Sequence, residues 1–312
     1  MTASLRVVTY NVRYFGHALK GLASTQGAVA RIAAGLASLS PLPDLICLQE
    51  IESRTLRGRG AYGQDGAAGS QLDLLVTALE RAGAVLGRAP RYEGFYFPAH
   101  SMKLRELHLT SAGLAILVNL DRLQVEGHNV HKPEHITHHR VERFKRAKQT
   151  RICAELRVLT KSGKRLHVFN THFSLPSPFV REFWERKERM GWGPNQLQEA
   201  RTLAAFVKRL AGHEPFLVCG DFNSPPTSPV YRFLTEEAGF GGAQEALGQI
   251  DARVLRGFPT AGFLRLRMHL DHLFAGNGLH WLDLDGTLPF GARASPFRGL
   301  SDHVPLLARF KL

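Results

Sequence analysis

Short apolar runs rich in Val, Ile, Leu and Phe recur from one end of this chain to the other with helical patterns between them, and that interleaving constrains its fold more than any other feature. The runs fall at Leu5–Tyr10, Asp44–Gln49, Tyr92–Phe97, Gly113–Val118, Ile152–Val158, Leu166–Thr171, Phe216–Gly220, Leu270–Ala275 and Val304–Phe310, all of strand length. Between them Val29, Ile32, Ala33, Leu36 and Leu39 share one helical face, as do Leu197, Ala200, Leu203, Ala204, Val207 and Leu210. A third helix is expected over Gln71–Ala82. By length alone 312 residues leave one or two domains open, because single cores stop growing near ~250–300 residues. The interleaving decides for one layered α/β domain spanning residues 1–312.

Two stretches break the pattern. Ser53–Ser70 is rich in Gly, Arg, Ala and Asp and directly follows Glu50, so it is read as a loop beside whatever Glu50 does. The stretch 128–151 holds five His and seven Lys or Arg against the acids Glu134 and Glu142, and is read as a basic insertion. Its histidines lack a regular zinc-ligand spacing, and the cations around them would repel a metal ion, so a basic loop facing solvent or substrate is the better reading. A smaller charged insertion, Phe179–Trp192, follows the run that ends near His172.

Bulk properties exclude several classes. No apolar run approaches the ~20 residues that a membrane-spanning helix needs. The first residues enter a strand pattern with no secretory signal pattern, so a cytoplasmic protein is expected. The cysteines Cys47, Cys153 and Cys219 each lie inside an apolar run, where a thiol acts as a small hydrophobe and no disulfide framework is implied. A formal net charge of +13 favours a polyanionic partner, either nucleic acid or an anionic membrane surface. No obligate protein partner is implied.

Five segments place polar groups at the ends of apolar runs, where a core gains nothing from them: TYNVRYFG with Asn11, LICLQE with Glu50, FNTHFS with Asn170 and His172, GDFNSPP with Asp221 and Asn223, and LSDHVPL with Asp302 and His303. A sixth, HLDHLF, sets Asp271 and His272 inside an apolar run. An unpaired charge there is costly, so Asp271 needs a partner, and His303 is the natural candidate. His272, on the opposite strand face, is read as structural or exposed. Asn170 divides between packing and support of a site. Residues at strand ends can converge on one edge of a sheet. Carboxylate and amide oxygens suit a hard cation such as magnesium or manganese, and histidines paired with carboxylates move protons near neutrality. No serine nucleophile elbow and no phosphate-binding P-loop occurs, so water is the simplest nucleophile.

In this order, from Asn11 to His303, the segments resemble the signature of the endonuclease/exonuclease/phosphatase superfamily. The resemblance implies a four-layer α/β/β/α sandwich with two packed mixed β-sheets and a site at one end. It implies that Glu50 binds the metal directly, with Asn11 and Asp302 close enough to bind the ion or its waters. Asp221, with Asn223 beside it, would orient the attacking water or a phosphate oxygen. His303, held by Asp271, would act as general base or bind the phosphate, and His172 would stabilise the pentacovalent state or protonate the leaving oxygen. Whether Asp221 or His303 takes the proton stays open.

On substrate the sequence points two ways. Arg13 in YNVRYFG is similar to the opening of pancreatic-type deoxyribonucleases, and Arg54, Arg57 and Arg59 follow Glu50 where such a nuclease meets the backbone. These residues and the net charge favour nucleic acid, DNA first, as substrate of a metal-dependent phosphodiesterase. The NTHF and GDFNSPP passages look more like sphingomyelinase-like members. The alternative is therefore a phospholipid or sphingomyelin-type phosphodiesterase, or a phosphatase acting on a soluble phosphate ester, with Phe179, Phe183, Trp184 and Trp192 as candidate lipid contacts.

Overall fold

In the computed structural model the described residues are 4–16, 25–52, 70–104, 107–137, 151–175, 190–249, 258–263, 266–284 and 287–312. Each of the nine expected strands is present, and they fall into two mixed sheets. The first has the order β14 (His280–Asp283), β15 (Leu306–Lys311), β1 (Leu5–Asn11), β2 (Leu45–Ile51), β4 (Leu107–Asn119), β3 (Tyr92–Leu104). The second has the order β10 (Gly241–Gly242), β13 (Asp271–Gly276), β9 (Phe216–Asp221), β8 (Arg165–His172), β7 (Ile152–Thr160), β5 (Leu123–His128), with β6 (Glu134–His135) paired to β7. A separate hairpin joins β11 (Ala261–Phe263) to β12 (Leu266–Met268). Only β1 with β2 and β8 with β9 run parallel in these pairings.

The apolar residues sort into three layers of packing. Leu5, Val7, Leu45 and Cys47 of the first sheet meet Val168, Leu217, Cys219 and Leu273 of the second, forming the core between the sheets. Val8, Tyr10, Ile46 and Leu48 face the other way, onto α1 (Gln26–Ser38) and α2 (Gln71–Val85). Phe169, Val218 and Phe274 face α3 (Pro194–Ala211) on the far side. Strands β1 and β9 are buried along their whole length, which is why they read as continuous apolar runs rather than alternating ones. The result is the α/β/β/α sandwich. All three cysteines are free and buried within it.

The helices begin where capping chemistry allows. The Thr25 hydroxyl accepts from the Ala28 amide at 3.1 Å to open α1, and Ser70 with Asp73 forms a capping box on α2. The predicted face of α3 holds at Ala200, Leu203, Ala204 and Val207, but Leu210 is 39% exposed and Phe206 and Ala211 are buried instead. The strands that escaped the sequence reading are short or lie at sheet edges: β5 alternates exposed with more sheltered positions, because only one of its faces turns to the core.

The parallel pairing of β8 with β9 demands a glycine. Gly220 lies opposite Thr171, and a Cβ there would fall 2.2 Å from the Thr171 carbonyl oxygen, a backbone atom that cannot step aside. We expect Gly220→Ala to lower stability by about 1–3 kcal/mol, the usual cost of overpacking. A urea midpoint equal to that of the wild type would contradict this account of the pairing.

Candidate active site

Register brings the polar residues together before any side-chain contact is considered. Across the second sheet His172 lies beside Asp221, and Asp221 lies opposite Asp271. Alternation points Asn170, Asp221 and Asp271 to the same side as Val168, Cys219 and Leu273, into the space between the sheets. In the first sheet Thr9 and Asn11 follow Leu5 and Val7 onto that same inner face, and Asn11 pairs in register with Gln49. Toward this end of the sandwich the inner layer therefore changes from apolar to polar.

A lower tier links the two sheets. Gln49 Nε2 donates to Thr9 Oγ1 at 3.0 Å and to Asn170 Oδ1 at 2.7 Å, while Asn170 Nδ2 donates to the carbonyls of Leu48 and Ala115 at 2.9 and 3.0 Å. Asn170 is thus fully buried beneath the site, its amide holding the sheets in register rather than open toward a ligand.

The upper tier centres on Asp221. Its Oδ2 accepts from Asn11 Nδ2 at 3.0 Å and lies 3.5 Å from His172 Nε2 and 3.6 Å from His303 Nε2. Its Oδ1 accepts from the Asn223 amide at 2.9 Å. Asn223 itself sits at φ 48, with its side chain donating to the Phe173 carbonyl at 2.8 Å, so it shapes the turn that presents N–H to Asp221. Asn11 Nδ2 also donates to Glu50 Oε1 at 3.1 Å, tying the two carboxylates to one amide.

Glu50 reaches this cluster through a backbone irregularity. Strict alternation would send it toward the helices with Leu48. Instead Glu50 takes φ 54, and the β2–β4 register shifts between Gln49 and Ile51. A bulge of this kind re-aims one side chain at a backbone cost of order 1–3 kcal/mol for a left-handed residue. Just after Asn11 the turn Arg13–Phe15 is left-handed at three successive residues, with φ 45, 56 and 53. Strain therefore concentrates on the two segments that deliver Asn11 and Glu50.

The two histidines are held in different charge states. Arg151 Nη1 lies 3.1 Å from His172 Nδ1, and a guanidinium can only donate, so the His172 proton resides on Nε2 and faces Asp221 and Glu50. Burial, with Arg151 and His303 nearby, pushes His172 well below the usual imidazole range, leaving it a neutral donor. At His303 burial also opposes the charge, but Asp271 and Asp221 outweigh it and carry the group up to about 10. Asp271 Oδ2 lies 2.8 Å from His303 Nδ1, and Thr260 Oγ1 holds the Asp271 amide at 3.0 Å. Asp221 is pushed up to about 7 by burial, against the pull of His303.

These groups fit a hard cation. Asp221, Asp271 and His303 bring candidate ligand atoms within 4.8 Å of one another, but with His303 held protonated by Asp271 it is the carboxylate oxygens, not the imidazole, that suit such an ion. Asp271 Oδ1 is buried with no hydrogen-bond partner among the described residues, and burial lifts Asp221 to about 7, both signs of anionic oxygen in want of positive charge.

The structure gathers Asn11, Glu50, His172, Asp221, Asn223, Asp271 and His303 of the sequence-derived set. Arg13 and Asp302 stand at the rim and engage each other, Nη1 to Oδ2 at 2.5 Å. Arg54 and Arg57 lie outside the described residues, as do Arg59 and most of the basic insertion. His272 is buried on the α3 side with Nε2 2.7 Å from the Ser224 carbonyl, so it is structural and not exposed. Sequence reasoning missed Arg151, whose only signal was a charge opening the apolar run RICAEL, and Ser301, whose hydroxyl donates to the Asn11 carbonyl at 2.7 Å. It also missed the tier of Thr9 and Gln49.

A sandwich of this topology with carboxylates and histidines converging at one edge defines a class, and comparison with known proteins supplies its name. The Endonuclease/Exonuclease/phosphatase family model matches residues 8–303. The chain belongs to this family of phosphoesterase hydrolases. It is 30% identical over 193 residues to Nocturnin of Drosophila melanogaster, a match that covers 61% of this chain and 23% of that protein, so it spans about a quarter of that curated relative. The human Nocturnin catalytic domain with bound sulfate anion superposes with a TM-score of 0.63 at 21% identity, covering 99% of this chain and 93% of that one. ANGEL2, a 2′,3′-cyclic phosphatase, does so with a TM-score of 0.63 at 18% identity, covering 100% and 96%.

Because the folded-state value of His303 lies above that of the unfolded chain, its stabilising contribution is full below ~6.5 and fades as pH rises through about 10. In the metal-free protein we expect the His303 imidazole to stay protonated past pH 8 by NMR, and Asp271→Asn to bring its titration down by more than one pH unit. Wild-type titration near 6.5 would contradict the pairing.

Proposed function

We propose that this chain hydrolyses phosphoesters of nucleotides or nucleic acid, using an activated water and a divalent cation, magnesium or manganese. The observation that carries the reading is the position of Asp221 Oδ2, within 3.0–3.6 Å of Asn11, His172 and His303 and joined through Asn11 to Glu50. Glu50 and Asn11, with Asp221 beside them, would hold the ion. When bound, it neutralises charge on the phosphate oxygens and favours the ionised form of Asp221.

The protein's own groups divide the remaining work. Asp221 is the general base: it is an acceptor near neutrality, oriented by the Asn223 amide and Asn11, with Oδ2 turned toward His172 and His303 where the attacking water would sit. His303, protonated on both nitrogens and fixed by Asp271, donates to a phosphate oxygen and does not accept the water's proton. His172 presents a fixed Nε2–H from the opposite flank, a donor for charge that develops in the pentacovalent state. All of these donors are in place before substrate arrives, the condition under which electrostatic stabilisation contributes most.

Nucleic acid is the favoured substrate class for a chain of net charge +13 whose matched relatives include Nocturnin and a 2′,3′-cyclic phosphatase. Part of the preference for DNA rested on Arg13, which here is ion-paired with Asp302, and the arginines after Glu50 lie outside the described residues. DNA and RNA therefore enter the test on equal terms. Of the candidate lipid contacts, Trp192 is half-buried and Phe179, Phe183 and Trp184 lie outside the described residues.

The test is a magnesium or manganese assay against plasmid DNA, RNA, sphingomyelin, a sugar phosphate and bis(4-nitrophenyl) phosphate. We expect turnover of nucleic acid and of the small diester, abolished by chelation and restored by added metal. Glu50→Gln and Asp221→Asn should each lower kcat by roughly 10²–10³-fold or more with the fold retained by circular dichroism. Metal-independent turnover, or full activity in Asp221→Asn, would sink the assignment.

A further inference from the structure

Next to the cluster just described lies a cavity of about 310 Å³ that shares Ser301 and His303 with it and draws most of its remaining lining from the preceding stretch 290–299, with Arg267 from β12. Backbone ties fix its walls. The β11–β12 hairpin is bridged to His303 through Ala261, and the Gly262 amide donates to the Asp302 carbonyl at 2.9 Å. On its other side the hairpin holds Phe290, whose amide donates to the Pro259 carbonyl at 2.7 Å. A Cβ at Gly262 would meet the Phe290 ring at 2.2 Å, so the absence of a side chain there is what lets the ring settle on the hairpin. The far wall is Phe297, 3% exposed and edge-on to Tyr10 at 5.6 Å, which anchors the next residue, Arg298.

The chemistry of this lining is one-sided. Beside the shared His303 it contains two further cations, Arg267 and Arg298, and no carboxylate among the described residues. The Arg267 guanidinium lies over the Phe290 ring, 5.0 Å from its centroid, which spreads its plane along the cavity wall. Arg298 is exposed and forms no ion pair among the described residues. Two cations around one small cavity repel each other, and a bound anion converts that repulsion into attraction. The scissile phosphate already has its partners in the metal ligands, His172 and His303, so a single phosphate leaves the exposed Arg298 unused. The volume is at the low end for ligand sites, enough for one anionic group and its neighbouring atoms.

We propose that this cavity is a subsite for a second anionic group of the same substrate, adjoining the scissile phosphate across His303. The inference deepens the phosphoesterase reading and rests on it for the position of the first phosphate. It names the substrate class as phosphoesters bearing at least two phosphates, such as a nucleoside bisphosphate or an oligonucleotide, in preference to a lone sugar phosphate or a lipid with a neutral headgroup.

Calorimetric titration in magnesium tests it, with adenosine 3′,5′-bisphosphate and adenosine 5′-monophosphate as probes and their integrity checked by chromatography afterwards. The bisphosphate should bind the wild type roughly tenfold or more tightly than the monophosphate, the scale of one charge-assisted hydrogen bond. Arg298→Ala should close most of that gap while changing the monophosphate affinity by less than about threefold, and Arg298→Lys should restore part of it. Equal affinities in the wild type, a gap that survives Arg298→Ala and Arg267→Ala, or equal losses for both probes would each overturn the proposal. Failure of the phosphoesterase reading shows separately, as an absence of metal-dependent turnover of bis(4-nitrophenyl) phosphate by the wild type.

Discussion

The alignment of β8, β9 and β13 is the constraint on which the rest of the molecule depends. It sets His172, Asp221 and Asp271 side by side on one line across the second sheet. Because side chains alternate along a strand, a slip of one residue in either pairing would send Asp221 or Asp271 to the α3 side and bring an aromatic or aliphatic residue inward. The apolar partners Val168, Leu217 and Leu273 hold the register from one end, and the Gly220 approach to Thr171 holds it at the other. Core packing and site geometry are thus one arrangement seen at two heights in the sandwich.

That arrangement concentrates negative charge where solvent is scarce, and the protein balances it with oriented polar groups. Asn11 divides one amide between Glu50 and Asp221, the Asn223 amide donates to the other Asp221 oxygen, and Asp271 keeps His303 charged. Arg151 does the reverse for His172, offering it only donors and so keeping it neutral. Two histidines that face the same carboxylate oxygen therefore differ in charge because their outer nitrogens meet opposite partners. One serves as a cation and the other as a neutral donor.

Much of this was legible in the chain, and the reasons differ by residue. Glu50, Asp221 and His303 stood out because an apolar strand gains nothing from a polar residue at its end, and the burial cost of Asp271 inside an apolar run pointed to His303, which lies 2.8 Å from it. The order of the segments carried the four-layer architecture through the family resemblance. Other features had no local signal. The bulge that turns Glu50 inward depends on β4 as well as β2, and the pairing of Arg13 with Asp302 joins residues 289 apart in sequence. Gln49 and Thr9 look like ordinary polar strand residues until the second sheet places Asn170 against them. Arg298 and Phe290 sit in a segment without periodicity, so their approach to His303 through the β11–β12 hairpin could only be seen in three dimensions.

The central claim is that residues from six distant segments surround one hard cation poised beside Asp221. Anomalous diffraction from crystals of the chain soaked in manganese reads this directly. The account predicts a single strong peak within coordination distance of Glu50, beside Asn11 and Asp221, and its disappearance in Glu50→Ala crystals. A peak elsewhere on the protein, with none in this cluster at saturating manganese, would contradict it.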